Sequence, residues 1–230
     1  MERTLRAGLP ALGISPTEEQ IQTLLAFGGA LLEKNHVMNL TAIREPDKVA
    51  TLHFLDSLTL LCADELAGKS IVDVGCGAGF PGVPLKIAEP SIRLTLLDSL
   101  GKRMAWLRET LPALGVEAET VTARAEDYAA EKRGGFDVCV SRAVARLNVL
   151  AELCLPLVKV GGHFLAMKGA TADEELREAA HAVETLGGKA LAVKRFSIGD
   201  AQHAVIVIEK VRSTPQTYPR AYAKIKKNPL

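Results

Sequence analysis

The chain has 230 residues, 48% of them hydrophobic, and a formal net charge of +1, so it can bury one full α/β core with a small appended module. It has no apolar run near the roughly 18 residues that span a bilayer, and Glu2, Gly8 and Pro10 interrupt its start where a secretory signal would be apolar. These features argue against a membrane-spanning or secreted chain, and we expect a cytoplasmic protein.

The chain begins with a predicted helical module, residues 1–67. Ser15, Pro16 and Glu18 match a capping box with proline at the first helical position, so a helix should begin near Pro16. Pro46 should precede a second helix, because apolar residues again recur every three or four positions. The apolar residues of the two helices are Ile21, Leu24, Leu25, Leu31 and Leu32 in the first and Val49, Leu52, Leu55 and Leu58 in the second.

From Ser70 onward the sequence alternates between strand and helix patterns, which is typical of an α/β fold with a parallel sheet buried on both faces. Strands are predicted at 70–74, 92–97, 118–122, 136–140 and 163–167, and helices at 101–114, 146–158 and 171–186. The last helix opens with a second capping box, Thr171 to Glu174. Two final runs, 189–196 and 204–209, have no helix between them and should form an antiparallel edge hairpin. We therefore predict a core over residues 68–210 and a basic tail over 211–230.

The first predicted strand runs into a glycine-rich loop, IVDVGCGAGFPGVPL (71–85). Glycines let a ligand touch the main chain and reach the N–H groups at the start of the next helix. Gly77, Gly79 and Gly82 spell the G-x-G-x-x-G dinucleotide fingerprint, whereas Gly75, Gly77 and Gly79 spell G-x-G-x-G with Asp73 two residues earlier. The strand already breaks at Gly75, which favours the second register.

Of the acids around this loop, Asp73 favours S-adenosylmethionine over a dinucleotide, whereas Asp98 suits both. Asp73, at the end of its strand, would repel a pyrophosphate but could receive a cationic amino group. Asp98 ends the next strand, about 20 residues on, where a carboxylate can accept both ribose hydroxyls of either cofactor. Residues 123–127, ARAED, follow the third strand and are placed to meet an adenine edge. Asp127 fits an ordinary helix cap or surface acid equally well.

Cysteine and histidine spacing indicates neither a metal site nor a disulfide framework. The four cysteines lie far apart without a C-x-x-C pair, and the five histidines are equally scattered. We expect small buried cysteines and no metal.

The last 21 residues, KVRSTPQTYPRAYAKIKKNPL, hold six basic residues and no acid, so the rest of the chain is net negative. Tyr218 and Tyr222 are interleaved with these charges. Such a segment would attract a phosphate backbone with stackable bases. A solvated tail that only aids solubility is the alternative on this feature alone.

Eight sequence blocks together carry a family resemblance: NLTAI (39–43), HFLDSL (53–58), DVGCGAGFPGVPL (73–85), LLDSLGKR (96–103), RAE (124–126), SRAVA (141–145), MKG (167–169) and YPR (218–220). With them the chain resembles the bacterial ribosomal RNA small subunit methyltransferase G family, also called glucose-inhibited division protein B. The resemblance implies a class I, Rossmann-like methyltransferase fold with S-adenosylmethionine as donor. It also implies methylation of N7 of a guanine in the 530 loop of 16S rRNA, at RNA position 527, in the small ribosomal subunit.

Carried over by motif, the resemblance places five residues at the cofactor: Gly75, Phe80, Ala125, Glu126 and Arg142. The glycine loop and the ends of the first two strands add four more residues to the predicted cofactor site: Asp73, Gly77, Gly79 and Asp98. The resemblance also places three basic residues near the same pocket: Lys102, Arg124 and Lys168. Two departures stand out, because Cys76 occupies a position that is usually Ser or Thr and the tail AYAKIKKNPL lacks the usual glycine-proline punctuation.

The residues agree with the implied chemistry. Guanine N7 carries an unprotonated lone pair, so positioning can supply most of the rate without a general base. The strand 136–140 leads into Ser141 and Arg142. By family analogy, exocyclic-amine methyltransferases carry an N-P-P-aromatic motif at this place, and that motif is absent here. We assign Arg142 and Lys168 positioning and electrostatic roles; Arg142 could instead lock Asp98 or Glu126 in an ion pair. The predicted RNA-binding residues are Lys102, Arg124, Arg146, Arg220, Lys224, Lys226 and Lys227.

Two rival functions remain open on the sequence. A nicotinamide-dependent oxidoreductase would use the G-x-G-x-x-G register, and a non-catalytic RNA-binding module would retain the pocket without the reaction. We expect a monomer whose partner is 16S rRNA or the small ribosomal subunit. We also expect that removing the tail after Val211 weakens RNA binding and leaves cofactor affinity intact.

Overall fold

A seven-stranded sheet forms the centre of the computed structural model, which describes residues 1–142, 145–199 and 201–230. Its strands are β1 (Ser70–Val74), β2 (Arg93–Asp98), β3 (Glu119–Thr122), β4 (Phe136–Arg142), β5 (Val158–Lys168), β6 (Gly188–Ile198) and β7 (Ala201–Lys210). They lie in the order β3-β2-β1-β4-β5-β7-β6. Strands β1 to β5 are parallel, and β7 pairs antiparallel with both β5 and β6. The predicted parallel sheet with an antiparallel edge hairpin is confirmed.

The strand order reverses at β1, and this reversal marks a site for a ligand. Strand β1 is followed on one side by β2 and β3, and the chain then returns to place β4 on the other side. Asp73 in β1 is level with Leu96 in β2 and with Val140 in β4. The loops after β1, β2 and β4 therefore leave the sheet at the same edge. Ligands of open α/β sheets bind at the carboxyl ends of the strands beside such a reversal.

Helices cover both faces of the sheet, as a largely parallel sheet requires. They are α1 (Glu2–Gly8), α2 (Glu18–Met38), α3 (Pro46–Val49), α4 (Asp56–Ala63), α5 (Gly82–Ala88), α6 (Gly101–Ala113), α7 (Ala125–Glu131), α8 (Leu147–Cys154), α9 (Ala172–Glu178), α10 (Ala180–Thr185) and α11 (Tyr222–Lys227). One hydrophobic cluster joins the N-terminal helices with α5 and α6 and includes Phe27, Ile71 and Leu107. Another includes Leu150 in α8 and Ile225 in α11. Within the described ranges, no helix is long and apolar enough to cross a bilayer.

Helix α2 begins at Glu18 with Thr17 as its N-cap, so the predicted capping box at Ser15 is wrong. The Thr17 hydroxyl accepts a hydrogen bond from Gln20 N at 3.2 Å, and Gln20 Oε1 accepts one from Thr17 N at 2.7 Å. A capping box is therefore present, but it is formed by Thr17 and Gln20, two residues after the predicted one. Glu18 instead accepts a hydrogen bond from Arg6 at 2.6 Å, which ties α2 to α1.

A π-helical turn, Ala50–Leu55, joins α3 to α4, so the predicted second helix is one helical segment with a widened turn. Turns of this kind are rare inside helices and concentrate at functional sites. Leu52 and His53 lie in this turn and both contact Arg142 at the end of β4.

Two predicted helices are shorter than expected. Helix α8 ends at Cys154, and a 3-10 turn around Pro156 leads into β5, because proline lacks the N–H that would continue the helix. The predicted helix 171–186 divides into α9 and α10, and its capping box at Thr171 is wrong. Thr171 has a ψ of 10° and makes no side-chain cap, whereas an N-cap residue is typically extended and thereby aims its hydroxyl at the helix.

Residues 211–230 pack against the core and do not form a solvated tail. Arg220 donates hydrogen bonds to Glu152 from its backbone N at 2.8 Å, from Nε at 2.9 Å and from Nη2 at 2.6 Å. The Glu152 side chain, in α8, has no exposed surface. Ile225 in α11 is also fully buried. The segment is therefore a structural part of the fold.

Candidate active site

The glycine loop after β1 has a left-handed backbone at all three glycines of the second register, including Gly75, which the first register leaves out. Gly75, Gly77 and Gly79 have φ angles of 72°, 57° and 92°, in the left-handed region that favours glycine. Gly82 is the first residue of α5, and a Cβ there would lie 2.8 Å from Leu96 Cδ2. Gly82 therefore serves close packing of α5 on β2, while the three earlier glycines shape the loop.

Asp98 holds this loop from the neighbouring strand. Its Oδ2 accepts a hydrogen bond from Gly77 N at 2.9 Å, and its Oδ1 accepts one from Leu100 N at 2.8 Å. Each carboxylate oxygen keeps a second lone pair, so Asp98 can also accept hydrogen bonds from a ligand. The acid predicted to bind a ribose thus also fixes the loop that a cofactor would touch.

Asp73 lies beneath the loop, with none of its surface exposed, and not on the wall where we predicted it to receive an amino group. Its Oδ2 accepts a hydrogen bond from Gly82 N at 2.8 Å, and its Oδ1 has no hydrogen-bond partner among the described residues. Burial raises the pKa of this carboxyl to about 7. The contact with Gly82 makes Asp73 an anchor between β1 and the start of α5.

A cavity of about 350 Å³ opens at the carboxyl ends of β1 and β2. It brings together five of the predicted cofactor residues: Gly75, Asp98, Ala125, Glu126 and Arg142. It is also lined by residues that the sequence did not single out for the cofactor: Leu100, Arg103, Leu153 and Tyr222. Gly77, Gly79 and Phe80 shape or support the loop from outside the lining.

The residues in and beside this cavity fit S-adenosylmethionine. In the loop that borders the cavity, a Cβ built on Gly77 would meet only Nη1 of the lining residue Arg103 within 4 Å, at 3.8 Å, so the main chain is open to close approach. Carboxylates on β2 and α7 can accept from a ribose and an adenine amino group, and the volume falls in the range of small-molecule sites. When bound there, the cofactor would supply a methyl group activated on a sulfonium.

A second cavity, of about 590 Å³, lies next to the first at the ends of β4 and β5. Its lining includes Leu52, His53, Asp56, Arg142, Arg146, Met167, Lys168, Glu175 and His203. Arg142 lines both cavities. A molecule in the second cavity would therefore share a guanidinium with a cofactor in the first. Residues 143–144 of the predicted SRAVA block lie outside the described residues.

Arg142 is held in place by the helical segment that contains the π turn. Its Nη1 donates to Leu52 O at 2.8 Å and to Asp56 Oδ2 at 3.0 Å, and its Nη2 lies 2.9 Å from His53 Nδ1. These contacts use three of the five guanidinium N–H groups. Its predicted alternative partners were Asp98 and Glu126, but the described ion pair is with Asp56.

His53 is neutral in this arrangement. Burial and the neighbouring Arg142 lower the pKa of its imidazole to about 4. A neutral ring can accept from Arg142 at Nδ1 and donate from Nε2 to Thr41 Oγ1, which lies 2.8 Å away. Phe80 stacks on His53 with ring centroids 4.4 Å apart, and the Arg142 guanidinium lies over the Phe80 ring at 5.3 Å. Phe80 thus supports Arg142 and is only 5% exposed.

Asp56 links Arg142 to a second histidine, on β7. Asp56 Oδ1 lies 2.7 Å from His203 Nδ1, and this hydrogen bond raises the pKa of His203. The buried carboxylate therefore faces two cationic partners when His203 is protonated. Sequence analysis did not select Asp56 or His203, although Asp56 lies in the HFLDSL block.

The other predicted cations at the second cavity are engaged in ion pairs. Lys168 Nζ donates to Glu175 Oε2 at 2.8 Å and to Ala145 O at 2.6 Å, and its side chain is 6% exposed. Arg146 is exposed and pairs with Glu178, with Nε 3.1 Å from Oε2. Lys168 is therefore a buried cation whose contacts are structural, whereas Arg146 lies at the solvent-exposed rim of the cavity.

The remaining predicted RNA-binding residues divide into two groups. Lys102, Arg124, Lys224, Lys226 and Lys227 are exposed, and Arg124 and Tyr222 reach the rim of the first cavity. Arg220, by contrast, directs its guanidinium to buried Glu152, so we leave it out of the RNA-contacting set.

No group of three or more histidine, cysteine, aspartate or glutamate side chains in the described part of the chain is arranged to hold a metal ion. Cys76, Cys139 and Cys154 are buried, and Cys62 is half-buried.

Sequence comparison relates the chain to one family. Residues 20–205 match the sequence profile described as rRNA small subunit methyltransferase G. The chain is 44% identical over 232 residues to the ribosomal RNA small subunit methyltransferase G of Alkaliphilus metalliredigens, covering 98% of this chain and 97% of that protein. It is 46% identical over 234 residues to the protein of the same name from Alkaliphilus oremlandii, with 98% and 97% covered.

Solved structures show the same fold at low identity. A SAM-dependent methyltransferase from Aquifex aeolicus is similar with a TM-score of 0.55 and 16% identity, over 74% of this chain and 97% of that chain. M. jannaschii TYW2 in complex with AdoMet is similar with a TM-score of 0.55 and 13% identity, over 67% and 74%. At these identities the likeness establishes the class I methyltransferase fold.

Proposed function

The chain belongs to the ribosomal RNA small subunit methyltransferase G family of S-adenosylmethionine-dependent enzymes, and on that premise we propose that it methylates N7 of a guanine in the 530 loop of 16S rRNA, at RNA position 527. The observation that carries the proposal is the pair of cavities that meet at Arg142. One fits the methyl donor, and the other is large enough for a nucleobase beside it.

In the proposed reaction the protein positions the reactants and stabilises charge, and no general base is needed. The N7 lone pair forms the new N–C bond while the C–S bond breaks and sulfur keeps its electron pair, so no proton moves. Arg142 fits the positioning role, because Asp56, Leu52 and the Phe80 ring fix its guanidinium between the cavities. Two further N–H groups of that guanidinium can meet the base or the donor.

Lys168 supports the acceptor side indirectly in this proposal. Its ion pair with Glu175 ties the end of β5 to α9, and its bond to Ala145 O ties it to the chain that follows β4. Lys168, Ala145 and Glu175 all line the second cavity, so these contacts join parts of its wall. We keep Lys168 as a positioning residue and propose no proton transfer for it.

We propose that the RNA backbone lies across six exposed cations: Lys102, Arg124, Arg146, Lys224, Lys226 and Lys227. Arg124 lines the first cavity and Arg146 the second. Cations of this kind supply most of the affinity of a protein for an RNA backbone, through its phosphates. Recognition of the base, by contrast, depends on the residues of the cavity. The partner is therefore 16S rRNA, alone or within the small subunit.

The test is a methylation assay with S-adenosylmethionine on naked 16S rRNA and on small subunits from cells that lack the enzyme. We expect 7-methylguanosine at the 530 loop, mapped by mass spectrometry of RNA fragments, and its loss with Arg142→Ala. A methyl group at another position, or on another atom, would refute the proposed specificity. RNA binding without any methyl transfer would favour the non-catalytic alternative.

A further inference from the structure

The C-terminal segment supplies one wall of the cofactor cavity. Tyr222, the first residue of α11, lines it together with Arg124, Ala125 and Leu153. The Arg124 guanidinium carbon lies 5.5 Å from the centre of the Tyr222 ring, a distance typical of a cation–π contact. The ring therefore stands beside the RAE block, at the end of the cavity where an adenine is expected.

Two contacts anchor the backbone on either side of this ring. Arg220, two residues earlier, is bound to buried Glu152, which is adjacent in sequence to the lining residue Leu153. Ile225, three residues later, is fully buried and shares a helix face with Tyr222. A side chain anchored on both sides loses little freedom when it meets a ligand.

We propose that Tyr222 binds the adenine moiety of S-adenosylmethionine by packing its ring against the base. Aromatic rings suit this task because every base offers a π face, and the nearby Ala125 leaves room for a flat ligand. The segment from Arg220 to Ile225 then belongs to the cofactor site as well as to the RNA-facing surface. The proposal depends on the methyl donor alone and not on the position that is methylated.

The test measures S-adenosylhomocysteine affinity by calorimetry. We expect Tyr222→Ala to weaken binding about tenfold and Tyr222→Phe to keep the wild-type value. Tyr222→Leu separates stacking from simple filling of the wall, because it retains apolar volume without a ring; stacking predicts a loss like that of the alanine variant. Wild-type affinity in the leucine variant would overturn the proposal.

Tyr218→Ala is the matched control. Tyr218 lies in the same segment and under the same kind of arginine contact, with Arg220 5.6 Å from its ring centre, but it does not line the cavity. We expect its affinity to be unchanged. A loss equal to that of Tyr222→Ala would indicate that the segment acts only by holding the fold, and would overturn the adenine assignment.

A second ligand identifies the part of the cofactor that is touched. 5′-Methylthioadenosine has the nucleoside but no amino acid. Adenine packing therefore predicts that Tyr222→Ala lowers the affinity for it by the same factor as the affinity for S-adenosylhomocysteine. A loss confined to S-adenosylhomocysteine would place Tyr222 at the amino acid end and refute the assignment. Methylation of the wrong nucleotide would leave these binding results unchanged, so the two proposals fail separately.

Discussion

Single side chains at this site act on the loop and the ligand at once, and Asp98 is the clearest case. Its carboxylate receives the N–H groups of Gly77 and Leu100 and faces the cavity. We expect Asp98→Ala to lower S-adenosylhomocysteine affinity about 10- to 100-fold, since hydrogen bonds to a charged group contribute about 1.5–3 kcal/mol. Calorimetry measures the change. Asp127→Ala, which removes an exposed acid on α7, should bind as the wild type does; equal losses in both variants would contradict a ribose role for Asp98.

The neutral state of His53 predicts how stability responds to acid. With a folded pKa of about 4 and an ordinary value near 6.5 when unfolded, the unfolded chain takes up a proton first as the pH falls. His53 therefore costs stability progressively from about pH 6.5 down to pH 4, by about 3 kcal/mol in total. Above pH 6.5 this effect is absent.

The comparison with His53→Gln isolates this effect. Urea unfolding at several pH values should show the wild type losing its advantage over the variant between pH 6.5 and 4. His203 has a raised pKa, so its contribution has the opposite sign, but it is present in both proteins. Parallel stability curves for the two proteins would show that His53 does not titrate in this way.

At the scale of elements, the C-terminal segment depends on one buried ion pair. Glu152 has no exposed surface and receives three donors from Arg220. We expect Arg220→Ala to lower the free energy of unfolding by about 3–5 kcal/mol, because it leaves a buried carboxylate without its partner. Urea unfolding measures the loss, and Lys227→Ala, an exposed position on the next helix, should change little. A small effect of Arg220→Ala would mean that Glu152 reaches solvent.

This ion pair changes the expected result of removing the tail. A cut after Val211 would delete Arg220, Tyr222 and Ile225 together, and with them a cavity wall and part of a hydrophobic cluster. The expectation that cofactor affinity survives this truncation is therefore withdrawn. Point variants separate the roles that a truncation merges.

Local patterns predicted the elements well, and long-range contacts limited the rest. The strand that leads into Gly75 was readable because apolar runs and glycine punctuation are local signals. The role of Asp56 could not be predicted in this way, because its partners Arg142 and His203 are 86 and 147 residues away in sequence. Tyr222 was read as an RNA contact because its charged neighbours are visible in sequence and its cavity is not.

At the scale of the whole molecule, the sheet order brings the ends of β1, β2, β4 and β5 to one edge, where both cavities open. The exposed lysines of α11 belong to the same region, because Tyr222 on that helix lines the first cavity. A near-zero net charge thus conceals a cationic face beside the site. Such a face attracts a polyanion by counterion release, which makes binding depend on salt.

The charge distribution therefore predicts separate control of RNA and cofactor binding. Lys224, Lys226 and Lys227 are exposed and do not line the cavity, whereas Tyr222 on the same helix does. Replacing all three by alanine should weaken RNA binding and reduce the slope of log affinity against log salt by about 2, since each phosphate contact contributes about 0.7–0.9. Fluorescence titration of a 530-loop RNA at several salt concentrations gives this slope.

Two controls accompany this prediction. S-adenosylhomocysteine affinity should stay unchanged, and a matched triple variant of the exposed Lys48, Lys132 and Lys189 should keep the wild-type slope. Equal slopes for all three proteins would show that α11 does not contact the RNA backbone.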